Sequence, residues 1–163
     1  MRRIMLSSAA AVLGLSLSLA HAADDEPWLE EGWEPITEEE RQPATEQEVG
    51  EVSLAEREAN GIRYLTGGIG VAEREWLARH GTDYSQRLEF SKGERGAFVS
   101  QVALTVRDRD GTVVFEAESD GPILYIDLPE GRYRAEARYA GDTREFALNV
   151  RAGGQSRAHV NFP

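Results

Sequence analysis

Residues 132–139 have the sequence Arg132-Tyr133-Arg134-Ala135-Glu136-Ala137-Arg138-Tyr139, in which charged side chains alternate with aromatic or small ones. This period of two predicts a β-strand with one face in the core and the other in water. Six further segments share the period, and turn signals such as Asp110-Gly111 separate them; they cover residues 84–90, 98–107, 113–117, 124–128, 146–150 and 158–162. Seven short strands of this kind indicate a sandwich or a barrel. Because the turns are short, neighbouring strands are expected to run antiparallel, each sheet burying one face only.

The segment before these strands predicts four elements in order. Ser53 and Glu56 form a capping-box pattern, which is typical of the start of a short helix. A strand, a glycine loop and a second helix are expected to follow it. The predicted order over residues 53–82 is a short helix ended by Asn60-Gly61, a strand over 62–66, a loop with Gly67, Gly68 and Gly70, and a helix over 71–80 ended by Gly81.

The first 22 residues have the features of a secretory signal peptide. Met1-Arg2-Arg3 supplies positive charge, an apolar run follows to Leu19, and Ala20-His21-Ala22 provides the small residues that signal peptidase accepts. We expect cleavage after Ala22 and a periplasmic or secreted protein. Arg2-Arg3 also allows a twin-arginine signal, although the surrounding motif is missing. The run is too short for a stable transmembrane helix, and no later segment is apolar enough to span a bilayer.

Charge divides the rest of the chain into two parts. The whole chain carries a formal net charge of −11. Residues 23–60 contain fourteen acidic and two basic residues, a net of −12, whereas residues 61–163 contain fifteen acidic and fourteen basic residues, a net of −1. Residues 23–52, rich in glutamate and proline, predict a disordered acidic tail. Neither part has the basic footprint that nucleic-acid binding requires.

Residues suited to catalysis are scarce in this sequence. The chain has no cysteine and no G-x-S-x-G nucleophile motif, and only His80 and His159 follow the signal peptide. Both histidines are expected to be structural or solvated, so we predict no enzyme activity, no cofactor and no metal site. A hydrolase that acts on polysaccharide through carboxylates is the alternative, with Glu116, Glu118 and Asp127 as candidates.

Two short motifs allow both a ligand and a structural interpretation. Gly67-Gly68-Ile69-Gly70 precedes a helix, as phosphate loops do, but the Lys-Ser/Thr pair is missing and Glu73 would compete with an anion. A tight connection is favoured, with a site for a neutral polar ligand as the alternative. Asp108 and Asp110, followed by Gly111, suggest calcium, yet a β-hairpin turn explains the same residues and is favoured.

The C-terminal region carries the candidate partner-binding residues. Residues 131–163 contain six arginines against three acidic residues, a net of +3. Several of these arginines are expected on an outer sheet face, where the acidic tail would cover them until a partner displaces it. Solvated arginines that pair with local glutamates are the alternative. The candidates are Arg132, Arg134, Arg138, Arg144 and Arg157.

One motif resembles a known family. Leu128-Pro129-Glu130-Gly131-Arg132-Tyr133, preceded by Val106-Arg107-Asp108-Arg109-Asp110-Gly111-Thr112-Val113, is similar to the carboxypeptidase regulatory-like domain over about residues 97–162. The resemblance implies a transthyretin-like (prealbumin-like), antiparallel, seven-stranded Greek-key β-sandwich. In carboxypeptidases this domain accompanies a zinc peptidase domain and is itself non-catalytic.

The residues of this motif have structural explanations. Pro129 fixes φ at the first turn position, and Gly131 is expected to take a positive φ. Tyr133 would then begin a strand with its ring directed inward and its hydroxyl near the end of the sheet, and Leu128 completes the motif. We therefore expect a structural role for all four residues.

These features together predict a mainly β protein with one or two short N-terminal helices. The predicted parts are a signal peptide (1–22), an acidic tail (23–52), a helix-strand-loop-helix segment (53–82) and the β-sandwich (83–163). We expect a non-catalytic exported module that binds a protein, peptide or glycan in the periplasm or cell envelope. The alternatives are the carboxylate-dependent hydrolase and a structural or inhibitory protein that acts by strand addition at a sheet edge. The sequence leaves the ligand and the oligomeric state open.

Overall fold

The structure is a computed structural model of the 163-residue chain, and it describes residues 42–163. The predicted signal peptide, its cleavage site and residues 23–41 of the predicted acidic tail lie outside the described residues. No helix within the described range is long and apolar enough to cross a membrane. The elements in chain order are α1 (Glu46–Glu51), β1 (Arg57–Ala59), β2 (Ile62–Gly67), α2 (Val71–His80), a 3₁₀ turn (Gly81–Asp83), β3 (Gln86–Lys92), β4 (Ala97–Phe98), β5 (Ala103–Arg107), β6 (Val113–Glu118), β7 (Ile123–Ile126), β8 (Gly131–Tyr139), β9 (Asp142–Val150) and β10 (Ser156–Phe162).

The strands of the described residues form two sheets. The six-stranded sheet has the order β1-β2-β7-β3-β10, with β4 pairing with one end of β3, and the four-stranded sheet has the order β6-β5-β8-β9. The prediction of a mainly β sandwich-like protein is therefore confirmed. The described residues form ten strands, two before residue 84, where one was predicted, and eight after it, where seven were predicted.

One strand pair departs from the predicted antiparallel pattern. β3 and β10 run parallel, with a register that extends from Gln86 opposite Ser156 to Lys92 opposite Phe162. The chain enters β10 from β9, which belongs to the other sheet. Because no hairpin joins β10 to its neighbour in the sheet, the short-turn argument does not apply to this pair, and the prediction is wrong there.

The predicted strand over residues 98–107 is divided between the two sheets. β4 ends at Phe98 in the six-stranded sheet, and β5 begins at Ala103 in the four-stranded sheet. Between them Gln101 has a φ of 59°, and its N–H donates to the carbonyl oxygen of Ser119 at 2.7 Å. Val102 is fully buried at this crossing. The alternating pattern therefore continues through a point where the chain changes sheets.

The two sheets pack face to face around one apolar core. Tyr64 and Phe115 meet across it in an edge-to-face contact, with ring centroids 5.4 Å apart. Every second side chain of each strand points into this core, as the period of two predicts. The fully buried core residues from the two sheets include Leu88, Phe90, Leu124, Ile126 and Phe162 from the first and Leu104, Val106, Phe115 and Ala137 from the second.

The six-stranded sheet is also covered on its other face, by α2. Leu77 of this helix is fully buried against Leu65, Ile123 and Tyr125. All four residues of β7 are therefore buried, and the expectation that each sheet buries one face only is wrong for this sheet. α2 has the predicted bounds, and it ends at Gly81, where the ring of Tyr125 occupies the space that a Cβ would need.

Within the predicted acidic tail, residues 46–51 form a helix. α1 is capped by Thr45, whose hydroxyl accepts from the N–H of Glu48 while the Glu48 carboxylate accepts from the N–H of Thr45. The buried side chain of Val49 anchors the helix, and Glu46 pairs with Arg79 of α2 at 2.8 Å. This part of the tail is ordered because it has its own capping box and one apolar anchor.

The predicted helix after Ser53 does not form. Residues 52–56 are irregular and lead into β1. Glu56, the expected partner in the capping box, instead accepts from the Tyr84 hydroxyl at 2.5 Å and from Arg63 at 3.1 Å. The Glu56 carboxylate thus bonds to residues later in the chain and not to the backbone N–H of Ser53, so the prediction of a helix after Ser53 is wrong.

Candidate partner-binding face

The side of the four-stranded sheet that points away from the core, called the outer face from here on, is built by alternation. Leu104 and Val106 of β5 are buried in the core, so Ala103, Thr105 and Arg107 point outward. The strand registers extend this pattern to β6, β8 and β9. The outer face therefore carries four rows across the strands, which are Glu118-Ala103-Arg138-Thr143, Glu116-Thr105-Glu136-Glu145, Arg107-Arg134-Ala147 and Arg132-Asn149.

Two adjacent rows of this face carry opposite charge. The acidic row consists of Glu116, Glu136 and Glu145, and the basic row consists of Arg107 and Arg134. Within each row, two like charges stand directly opposite each other on neighbouring strands. Such pairs destabilise a sheet, so the arrangement is not the one that would maximise the stability of the isolated chain.

Little of this charge is paired within the described part of the chain. Glu136 forms an ion pair with Arg138, its neighbour on the same strand. Arg107 donates to the carbonyl oxygen of Gly111 at 3.3 Å. Arg134 and Glu145 are exposed and have no ion-pair partner among residues 42–163. The charges of both rows are therefore accessible to a partner.

Small side chains lie between the charged ones on the outer face. Two shallow depressions, of about 380 and 280 Å³, lie side by side and share Thr105. The first reaches from the basic row to Glu145 and Ala147, and the second reaches from Ala103 to Arg138. A partner can approach the sheet between the charged side chains, at Ala103, Thr105 and Ala147.

The five predicted arginines do not share one surface. Arg132, Arg134 and Arg138 lie on the outer face. Arg144 is opposite Ala137, a core residue, and its side chain crosses to the other sheet to donate to the carbonyl oxygen of Asn161 at 2.9 Å. Arg157 lies on β10, in the six-stranded sheet. Three of the five candidates therefore share the outer face, and two do not. The turn before β9 directs Arg144 toward the core side, and the connection after β9 leads to the other sheet, which carries Arg157.

Sequence reasoning did not identify Arg107 and Glu145 as part of this face. Their position depends on which strands are neighbours, since β5 pairs with β8 although two strands separate them in the chain. The alternation of each strand is visible in the sequence, but the pairing is not. The docking of the acidic tail on the arginines concerns residues 23–41 in large part, which lie outside the described residues.

The glycine loop between β2 and α2 is occupied by its own chain. The carboxylate of Glu73 accepts from the N–H groups of Gly68 at 2.8 Å and Ile69 at 3.2 Å. Gly67 and Gly68 have positive φ, and Gly70 precedes the first turn of α2. The groups that would cradle an anion are thus satisfied by Glu73, which supports the structural interpretation of this loop.

The Asp108 turn also has an internal explanation. One carboxylate oxygen of Asp108 accepts from the N–H groups of Asp110 and Thr112, each at 2.9 Å, and Gly111 has a φ of 85°. This is an Asx turn that closes the β5–β6 connection. No group of three or more potential metal ligands is found within residues 42–163.

The Leu128–Tyr133 motif forms the turn before β8 and is stabilised by contacts of its own residues. The Tyr133 hydroxyl donates to the carbonyl oxygen of Pro129 at 2.8 Å, and Leu128 is buried in the core. Burial raises the pKa of the Tyr133 hydroxyl, and the charge of Asp108 acts in the same direction. Gly131 does not have the predicted positive φ. Glycine fits here because a Cβ would lie 3.2–3.3 Å from the Tyr133 ring and hydroxyl.

The candidate carboxylates of the hydrolase alternative are placed on different parts of the molecule. Glu116 and Glu118 lie on the outer face, whereas Asp127 follows β7 and pairs with Arg63 at 2.7 Å. Asp127 also lines a separate polar cavity of about 410 Å³, together with Asp83 and Glu130. The structure therefore does not join the three candidates into one site.

Both histidines have local partners. His80 stacks on Trp76 of the same helix, with ring centroids 3.9 Å apart. Nε2 of His159 lies 2.7 Å from the hydroxyl of Ser91, which also donates to Asn161 at 2.7 Å. Because Ser91 is fully buried, this serine is closed to a substrate, and the contact joins β3 to β10.

Comparisons with known proteins give no family. No family model matches the sequence, and no curated protein matches it. A solved structure described as the Bacillus anthracis TIE protein aligns with 47% of this chain and 16% of its own, at 17% identity and a TM-score of 0.38. This chain thus spans about one sixth of that protein's length, and a likeness this weak carries no argument.

Proposed function

We propose that this chain is a non-catalytic, exported β-sandwich module that binds a protein partner in the periplasm or cell envelope through the outer face. The supporting observation is the division of that face into an acidic row and a basic row whose charges are largely unpaired within the described residues. Charge patterns of this kind determine partner choice and association rate more than raw affinity.

The chemistry of the face favours a protein or peptide over a glycan. The outward positions of the four strands carry arginine, glutamate, threonine, alanine and asparagine, and none of them is aromatic. Aromatic rings give an apolar surface with specific geometry, which the faces of sugar rings need. Ionic groups arranged in rows instead suit a partner that has its own charges at fixed positions.

We also propose that the chain belongs to the carboxypeptidase regulatory-like group and that seven of its strands form a prealbumin-like Greek key. Strands β3 and β5–β10 support this, since they divide into β7-β3-β10 and β6-β5-β8-β9. The β5–β6 and β8–β9 hairpins lie side by side although β7, in the other sheet, separates them in the chain. A return of this type is the defining feature of a Greek key.

Export is the premise of the proposed location. The features of residues 1–22 support it. N-terminal sequencing of the protein purified from fractionated cells tests it, and the expected first residue is Ala23. A cytoplasmic protein with an intact Met1 would contradict the location, while leaving the binding face to be tested separately.

The binding proposal is tested by capture on the immobilised chain from an extract of envelope proteins. The variant R107E/R134E reverses the basic row, and we expect it to lower the capture of specific proteins at least about tenfold. The control is R157E, which makes the same chemical change on β10 of the other sheet. Equal capture by R107E/R134E and the wild type would contradict the proposal.

A further inference from the structure

We propose that the partner of the outer face is a second copy of this chain, bound face to face about a two-fold axis. This inference rests on the proposed function, since it names the partner of the same face. Its basis is that the two central rows of the outer face are complementary in charge to each other. The acidic row and the basic row are neighbours, separated by two residues along each strand, or about 7 Å.

The geometry selects one orientation of the two copies. An axis that lies in the interface, parallel to the rows and between them, brings the acidic row of one copy over the basic row of the other. Each strand then meets its own counterpart, so Arg134 faces Glu136 of the second copy and Glu136 faces its Arg134. A single two-fold operation therefore makes this contact twice. The same operation brings Arg132 over Arg138 of the second copy, a like-charge contact at each end of the interface that is offset in part by the pairing of Arg138 with Glu136 of its own chain.

The other two-fold orientation is unfavourable. An axis parallel to the strands would place the acidic row over the acidic row and the basic row over the basic row. Like charges brought together in this way cost several kcal/mol in an interface. The two central rows therefore favour the first orientation over the second.

An acidic partner fits the face less well than a second copy does. The outer face carries four arginines and four glutamates, so it has no net charge (Arg107, Arg132, Arg134, Arg138; Glu116, Glu118, Glu136, Glu145). An acidic segment on the basic row would meet repulsion from the acidic row at about 7 Å. A second copy neutralises both rows together.

Close approach of the two copies is possible at the small side chains of the face. Ala103, Thr105 and Ala147 leave the shallow depressions there, and packed sheets stand about 10 Å apart. Four strands span about 19 Å, so the contact is small and polar. We expect a weak dimer that salt dissociates, because exposed ion pairs are screened.

Sedimentation analysis of the chain, purified from cells that express the full-length gene, tests this inference. Between about 10 μM and 1 mM and at low salt we expect a monomer–dimer equilibrium, which shifts to monomer at about 0.5 M NaCl. R134E and E136R each place like charges in contact, and each is expected to weaken association at least about tenfold. The double variant R134E/E136R exchanges the two charges and should restore association, while R157E should leave it unchanged.

The restoring variant keeps the result independent of folding defects, and circular dichroism and thermal melting of each variant verify the fold. A monomer at every concentration and low salt would overturn the inference, and so would a dimer that R134E leaves intact or that the double variant fails to restore. If the wild type is monomeric but R107E/R134E still loses the captured envelope proteins, the inference fails and the proposed function stands. If neither self-association nor charge-dependent capture is observed, both fail.

Discussion

The outward faces of the two sheets differ in whether another element covers them. On the six-stranded sheet, the side chains that point away from the core are apolar, and α2 covers them. Ile123 and Tyr125 are therefore buried on a face that would otherwise be exposed to solvent. The four-stranded sheet has no such cover in the described residues and turns charged side chains outward instead. A sheet covered on both faces contributes stability from both, whereas an uncovered face is available for recognition.

The difference also shows which face is arranged for the stability of the isolated chain. On the covered face, the packing is tight enough that Gly81 and Gly68 have side chains against them, and the helix fits over the strands. On the outer face, like charges stand opposite one another in two adjacent rows. Residues that oppose stability without serving the fold are where recognition is expected.

The largest expected effect concerns the helix cover. Leu77→Ala removes a fully buried side chain from the layer between α2 and the six-stranded sheet, and we expect it to lower the free energy of unfolding by about 3 kcal/mol. Urea denaturation measures the change. The control is Ile69→Ala beside the same helix, where the side chain is 69% exposed; if both variants cost the same, the cover contributes little and the comparison fails.

A somewhat smaller effect is expected where two backbones meet beside the covered sheet. A Cβ at Gly121 would overlap the backbone of Gly67, so Gly121→Ala should cost about 2 kcal/mol. Gly154→Ala is the matched control, because nothing lies within 4 Å of its Cβ position. Thermal melting of both variants distinguishes them, and an unchanged melting temperature for Gly121→Ala would show that the two backbones can separate freely.

The outer face should respond in the opposite direction. Arg134→Thr removes one of two like charges that face each other on neighbouring strands, and it places a good strand former there. We expect the free energy of unfolding to rise by about 0.5 kcal/mol, measured at a concentration where the chain is monomeric, while partner binding falls. A loss of stability instead would mean that Arg134 serves the fold and that the two faces do not differ in this respect.

The smallest expected effect is local and depends on pH. The hydrogen bond from Arg79 and its charge hold the pKa of Glu46 below its usual range. The folded form therefore gains from this contact above the ordinary pKa of a glutamate and loses the gain as pH falls through the lowered value. Hydrogen-exchange protection factors of α1 should decline below about pH 4, and Glu46→Gln should reduce the pH dependence. The part that remains belongs to Glu48, because its hydrogen bonds with Thr45 also lower its pKa. Unchanged protection in acid would exclude Arg79 as the anchor of α1.

The sequence predicted those elements that depend on local chemistry. The bounds of α2 follow from the glycines on either side of it, and the alternation of the strands follows from side-chain periodicity. The hydrogen bond from the Tyr133 hydroxyl to Pro129 was not predicted. The capping box at Ser53 failed because the Glu56 carboxylate found Tyr84 and Arg63 elsewhere in the fold. The stronger box at Thr45 was not recognised within a segment whose composition indicates disorder.

The candidate site was only partly predictable, for a related reason. Alternation places Arg132, Arg134 and Arg138 on one face of β8, but it does not show which strands lie beside β8. The pairing of β5 with β8, which adds Arg107, is a contact between segments far apart in the chain. The parallel pair of β3 and β10, which moves Arg157 to the other sheet, has the same origin.

The most direct test of this account uses the absence of cysteine from the chain. Ala147→Cys places one thiol on the outer face, and Arg157→Cys places one on β10 of the other sheet. Each variant is coupled to a bulky polyethylene glycol maleimide, and then capture of envelope proteins and self-association are measured against the uncoupled variant. The account predicts that the adduct at position 147 abolishes both and that the adduct at position 157 affects neither. Full binding with the adduct at position 147, or loss of binding only with the adduct at position 157, would contradict it.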